Sequence, residues 1–224
     1  MIKNRHLDRP MTTWGSSAGT ARAAVLAVHG RGQGPKFMQE QAGRLAVAGL
    51  RFYAPSAAGD TWYPKPFLEP LENNQPDLAH ALEALVAHVA VLEADGFSPD
   101  RVVLWGFSQG ACLVSHFVLT NPAKYAGLIL HTGGYIGPDP LQVPPGRPLE
   151  GVPAVLRSIE NDPWVPGPRI QQTASALEAA GARADLLIAP GHEHIITDEA
   201  MSAASGLLNN MLLNNSGVQA WRNA

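Results

Sequence analysis

Short, wholly apolar runs alternate along this chain with longer stretches whose apolar residues recur at helical spacing, and no other feature restricts the fold as much. The run Ala23–Val28 (AAVLAV) carries no polar residue and ends in His29-Gly30, as a strand buried on both faces requires. Residues 37–48 read as helix with Gly49 placed to stop it, and residues 52–54 as a short strand halted by Pro55. From 77 to 95, Leu78, Leu82, Leu85, Val86, Val89 and Leu92 recur at helical spacing before Gly96. Residues 102–105 predict a strand, a small-residue turn follows, and 111–119 predict a helix. Further strands are expected at 127–130, 152–159 and 184–188, with helices at 170–180 and 198–213. Such alternation implies an α/β protein with a mostly parallel central sheet and helices on both faces.

The Pro- and Gly-rich segments 55–76 and 132–153 interrupt that alternation without ending it, so they read as long loops at one end of the sheet. Residues 1–224 are therefore expected to form a single domain, with 1–20 as an N-terminal extension or edge strand. Composition narrows the chemistry by exclusion. With 46% hydrophobic and 16% charged residues, the chain can bury a core and is not a disordered tail. Cys112 is the one cysteine, which excludes a disulfide framework and any multi-cysteine metal centre. It reads as a core residue. A net charge of −3 argues against a nucleic-acid partner. No run reaches the ~18 apolar residues of a membrane span. The polar stretch 1–10 lacks the apolar segment of a secretory signal, so a cytoplasmic location is expected.

The segment Gly106-Phe107-Ser108-Gln109-Gly110 is a G-x-S-x-G motif lying between an expected strand and an expected helix. A turn that sharp forces the serine into a strained conformation and brings neighbouring side chains together, hence a glycine on each side. It would lift Ser108 Oγ above the sheet, at the positive end of the next helix, where the Gln109 backbone N–H can face a developing oxyanion. A second donor is available in His29-Gly30-Arg31-Gly32, where a turn after the first buried strand would offer the Arg31 N–H. His29 itself precedes the serine and reads as a residue that shapes this turn. An acid is expected after the strand at 152–159, where Glu160 and Asp162 compete; the position of Asp162 before Pro163 favours it. A base is expected after the last strand, in Pro190-Gly191-His192-Glu193-His194. Spacing alone leaves both His192 and His194 open, and an H-x-H metal site lacks an obvious third ligand.

Five stretches carry a resemblance: HGRG (29–32), APSAAGDTWYPKPFLEP (54–70), GFSQGAC (106–112), NDPWVP (161–166) and PGHEHIIT (190–197). In this order they resemble the phospholipase/carboxylesterase family of the α/β-hydrolases, which includes the acyl-protein thioesterases. The resemblance implies an α/β-hydrolase fold and a catalytic set of Ser108, Asp162 and His194. It leaves His192 as the alternative base, because Glu193 stands where the family usually has a small residue or methionine. It likewise implies oxyanion donors at Arg31 and Gln109, and a substrate pocket lined by Trp62, Tyr63 and Trp164. Glu160 stands where glycine is common in that family.

The expected chemistry is hydrolysis of short- to medium-chain carboxylic esters or thioesters through an acyl-enzyme, without metal or organic cofactor, by a monomer or homodimer acting on a small molecule. Lactone or dienelactone hydrolysis, C–C cleavage and lyase chemistry are the alternatives on such a scaffold. A non-catalytic ligand-binding relative is a further one.

Overall fold

The fully apolar strands are explained by two separate cores, one on each face of a single sheet. The structure is a computed structural model that describes residues 3–222 and the side chains of residues 3–213. Residues 1 and 2 of the polar N-terminal stretch, and residues 223 and 224, lie outside the described residues. In chain order the elements are β1 (Thr12–Gly15), β2 (Ala23–Val28), α1 (Pro35–Ala42), β3 (Leu50–Ala54), α2 (Asp77–Ala94) and β4 (Val102–Phe107). They continue with α3 (Gln109–Thr120), β5 (Gly127–His131), β6 (Pro153–Ile159), α4 (Gly167–Ala179), β7 (Arg183–Ala189) and α5 (Asp198–Arg222).

The seven strands are ordered β1-β3-β2-β4-β5-β6-β7. All neighbours are parallel except β1, which pairs antiparallel with β3 at the edge. Successive side chains of a strand point to opposite faces. Ala24, Leu26 and Val28 of β2 therefore pack with α2, α3 and α4 residues such as Leu85, Leu113 and Ile170. Ala23, Val25 and Ala27 pack with Met38 of α1 and Met201 and Leu208 of α5.

One helix is shorter than its sequence pattern predicts. The stretch expected at 37–48 forms α1 from Pro35 to Ala42, starting after Gly34 and ending at Gly43. Its early end lets Arg44 turn across the sheet, donating from Nη1 to the Ile196 carbonyl (3.0 Å) and from Nη2 to Asp198 (2.7 Å). Leu45 and Val47 still pack against the core beneath, which is why the apolar spacing imitates a longer helix. Gly49, in the left-handed region at φ 79°, turns the chain into β3 instead of capping a helix.

The order β3-β2-β4 means that the chain leaves β2 to one side and returns on the other. The crevice above the adjacent ends of β2 and β4 is thus a topological switch point, where ligands bind in open α/β sheets.

Candidate active site

Two chain turns meet at that crevice, and glycines let them meet. Ser108, between β4 and α3, has φ 53° and ψ −121°, a conformation that costs a non-glycine residue ~1–3 kcal/mol. A Cβ on Gly106 would lie 2.5 Å from Ala111 Cα, and one on Gly110 would lie 2.2 Å from the Val28 carbonyl oxygen. The flanking glycines therefore serve the turn itself and the contact between α3 and the end of β2. The Ser108 N–H is held by the His131 carbonyl at 2.9 Å, which ties the turn to β5.

The turn after β2 lies directly on the serine: a Cβ on Gly30 would stand 3.0 Å from Ser108 Cβ. His29 shapes this turn, as its sequence position suggested. Its Nδ1 bonds the Gly30 carbonyl at 2.7 Å, and its Nε2 accepts the Ala57 N–H at 3.1 Å. Burial lowers its pKa, which favours the neutral ring that this pair of bonds requires. Among the described residues, no acceptor takes the backbone N–H of Arg31 or of Gln109. Both are free donors beside Ser108, and that of Gln109 opens a helix, where partial positive charge accumulates.

Loops at the ends of β6 and β7 bring the remaining groups. Ser108 Oγ donates to His194 Nε2 at 2.7 Å, and His194 Nδ1 donates to Asp162 Oδ2 at 2.6 Å. Both distances suit strong hydrogen bonds. The Asp162 side chain is fully buried, and its other oxygen accepts the N–H groups of Trp164 (2.8 Å) and Val165 (3.0 Å). That turn fixes the carboxylate while the chain heads into α4. The His194 ring rests 5.2 Å from Phe107, which stacks in turn on Phe37 at 5.1 Å. His192 and Glu160 are exposed, away from this relay. The Glu193 carboxylate takes the His192 backbone N–H at 3.1 Å. No group of three or more His, Cys, Asp or Glu among the described residues is arranged to hold a metal ion.

A cavity of about 460 Å³ opens at the serine, its walls including Tyr63, Phe67, Cys112, Trp164 and Val165. Of the three expected wall residues, Tyr63 and Trp164 border this cavity, the latter 71% exposed. Trp62 does not. It is fully buried, stacks at a tilt on His29 at 5.0 Å, and donates from Nε1 to the His29 carbonyl at 2.9 Å. The chain bends through residues 62–65, so Tyr63 reaches the cavity while Trp62 lies under the turn. Cys112 is buried, as expected of a core residue, yet it also borders the cavity. Burial pushes its thiol pKa up to about 12, so it is no nucleophile.

The Gln109 side chain plays a part that the motif did not reveal. Its Oε1 accepts the Trp62 N–H at 3.0 Å and its Nε2 donates to the Tyr63 carbonyl at 2.8 Å. A buried amide thus locks the loop after β3 onto the turn that carries Ser108. Phe67 and Val165 were also not singled out, although both lie in the aromatic- and proline-bearing stretches 54–70 and 161–166.

Comparison with known proteins identifies the family. The chain is 32% identical to a phospholipase/carboxylesterase from Dyadobacter fermentans, whose crystal structure superposes with a TM-score of 0.83 over 92% of this chain and 96% of that one. The crystal structure of esterase PE8 is 24% identical, with a TM-score of 0.76 over 91% and 98% of the two chains. Acyl-protein thioesterase 1 of Kluyveromyces lactis is 29% identical over 135 residues, a match spanning 53% of this chain and 59% of that protein. The phospholipase/carboxylesterase family model matches residues 15–212, and the chain belongs to that family of α/β-hydrolases.

Proposed function

We propose that the protein is a serine hydrolase that cleaves short- to medium-chain carboxylic esters or thioesters through an acyl-enzyme on Ser108. The observation that carries this reading is the unbroken hydrogen-bond relay from Ser108 Oγ through His194 to the buried Asp162. With Nδ1 donating to Asp162, Nε2 is left as the acceptor that a general base requires. His194 takes the serine proton as Oγ attacks the carbonyl carbon. Negative charge grows on the carbonyl oxygen, and the free N–H groups of Arg31 and Gln109 receive it; losing one such donor costs about 10²–10³ in rate. Asp162 holds the imidazole in its working tautomer and stabilises its cation. His194 then protonates the departing alkoxide or thiolate, and water repeats the sequence on the acyl-enzyme.

The cavity supports the size range in this reading. A volume of about 460 Å³ with largely apolar walls suits a small molecule. The exposed Trp164 and the open rim suit entry from solution without a large lid. Two measurements test the reading. A fluorophosphonate probe should label the wild type and leave Ser108→Ala untouched. Rates on p-nitrophenyl esters from C2 to C16 should peak at short or medium length, and a steep preference for C12 and above would contradict the size argument.

A further inference from the structure

Resting on the acyl-transfer reading, we infer that the substrate carries an anionic carboxylate and that the Arg31 side chain recognises it. Among the described residues that line the cavity, Arg31 alone bears a fixed charge, and no Asp or Glu shares the wall. A surface arginine is ordinarily matched by a carboxylate or solvated on a mobile stem. This one is neither. No carboxylate among the described residues forms an ion pair with it. Its guanidinium is instead clamped by backbone carbonyls, with Nη1 donating to Pro64 (2.8 Å) and Nη2 to Tyr63 (2.9 Å) and Lys65 (3.0 Å). It also lies 6.0 Å from the Tyr63 ring centroid.

A guanidinium has five N–H donors, so this clamp leaves two without a partner. Carbonyls hold the group in place without neutralising it. The result is a preorganised positive charge, unneutralised by any carboxylate among the described residues, on a residue that lines the largely apolar cavity and whose backbone N–H also has no acceptor. Ordering an arginine is a large part of what an ion pair costs, and here that ordering is done in the free protein. Lys65, whose carbonyl helps to hold the Arg31 guanidinium, is exposed and carries a second positive charge in the same loop. Asp60, the acidic residue earlier in that loop, is exposed and does not pair with Arg31. A neutral ester gains nothing from this arrangement; a half-ester of a dicarboxylic acid places its free carboxylate against it.

The test compares monoethyl glutarate with ethyl glutaramate, its uncharged isostere, at equal chain length. Wild-type kcat/KM should favour the carboxylate by about tenfold or more, the factor expected of a charge-assisted contact. Raising NaCl from about 0.05 to about 0.5 M should shrink that ratio. Arg31→Met should bring the ratio close to one and Arg31→Lys should keep part of it, since both retain the backbone N–H. Because Arg31 also clamps the loop, the ratio is the readout and the absolute rate is not. Calorimetry supplies a measurement independent of turnover: glutarate should bind the wild type, whereas glutaramide should not. Equal rates on both esters, together with no glutarate binding, overturn the inference. If Ser108 still reacts with a fluorophosphonate in that case, the acyl-transfer reading stands. If Ser108 is inert, that reading falls while glutarate binding still judges the anion site.

Discussion

Ser108 is held in a backbone conformation that an L-residue avoids, and the surrounding contacts account for its persistence. The His131 carbonyl takes its N–H, the flanking glycines leave room for Ala111 and Val28, and the ring of His194 takes its hydroxyl. Predictions for single side chains follow. His194→Ala should lower kcat/KM on a short-chain ester by about 10⁴-fold or more, whereas His192→Ala should stay within about twofold of wild type. Comparable losses in the two variants would show that the base has been misassigned. Asp162→Asn should cost about 10⁴ in kcat by favouring the wrong imidazole tautomer. The two tryptophans should separate cleanly. Trp62→Phe, which loses the bond to the His29 carbonyl and some volume, should lower stability by about 1–3 kcal/mol. Trp164→Ala should leave the melting temperature nearly unchanged and raise KM. A fall in stability for Trp164→Ala, read by urea titration, would argue against its place at the rim.

The joint between β2, β4 and α3 is where elements, not single groups, decide the site. A methyl group at Gly110 would press on the Val28 and His29 carbonyl oxygens, at 2.2 and 2.5 Å, both of them backbone atoms with little freedom to yield. Gly110→Ala should therefore push α3 off the end of β2. The expected cost is about 1–3 kcal/mol together with a loss of activity larger than the change in stability explains, because the proposed pair of donors, the Arg31 and Gln109 N–H groups, would be displaced. Measuring kcat under conditions where the variant is fully folded separates the two effects. An active Gly110→Ala enzyme would contradict the close approach. The Gln109 side chain works at the same joint, fastening the loop after β3. Arg44 works elsewhere, holding the loop between β7 and α5 that carries His194.

Across the molecule as a whole, buried imidazoles outside the relay are expected to weaken the fold in acid. Burial lowers the pKa of His6, His29, His88, His116 and His131, to about 4 for His88 and about 3 for His131. An unfolded histidine takes up a proton near pH 6.5 and the folded ones do not. Stability from this source is therefore complete above ~6.5 and is lost as pH falls, by up to ~1.4 kcal/mol per pH unit for each such ring. Unfolding free energies from urea titration should drop between pH 7 and pH 5, and His88→Leu should reduce that drop by roughly 1–2 kcal/mol. A pH-independent midpoint would mean that these rings are not held neutral.

What could be read from the chain before folding was whatever repeats locally. Apolar runs and helical spacing located nearly every element, because burial on a face imposes its period on the residues that cover it. The serine turn was legible too, since its sterics demand glycines within two positions. The end of α1 was not, because Leu45 and Val47 pack on the core without being helical. His192 and His194 could not be told apart by spacing, nor could Trp62 be told from Tyr63 as a wall residue. Each of those choices depends on where a side chain from one loop points relative to a group some 30 to 90 positions distant. Such directions are settled only when the sheet brings the strand ends together, and that is a property of the tertiary packing.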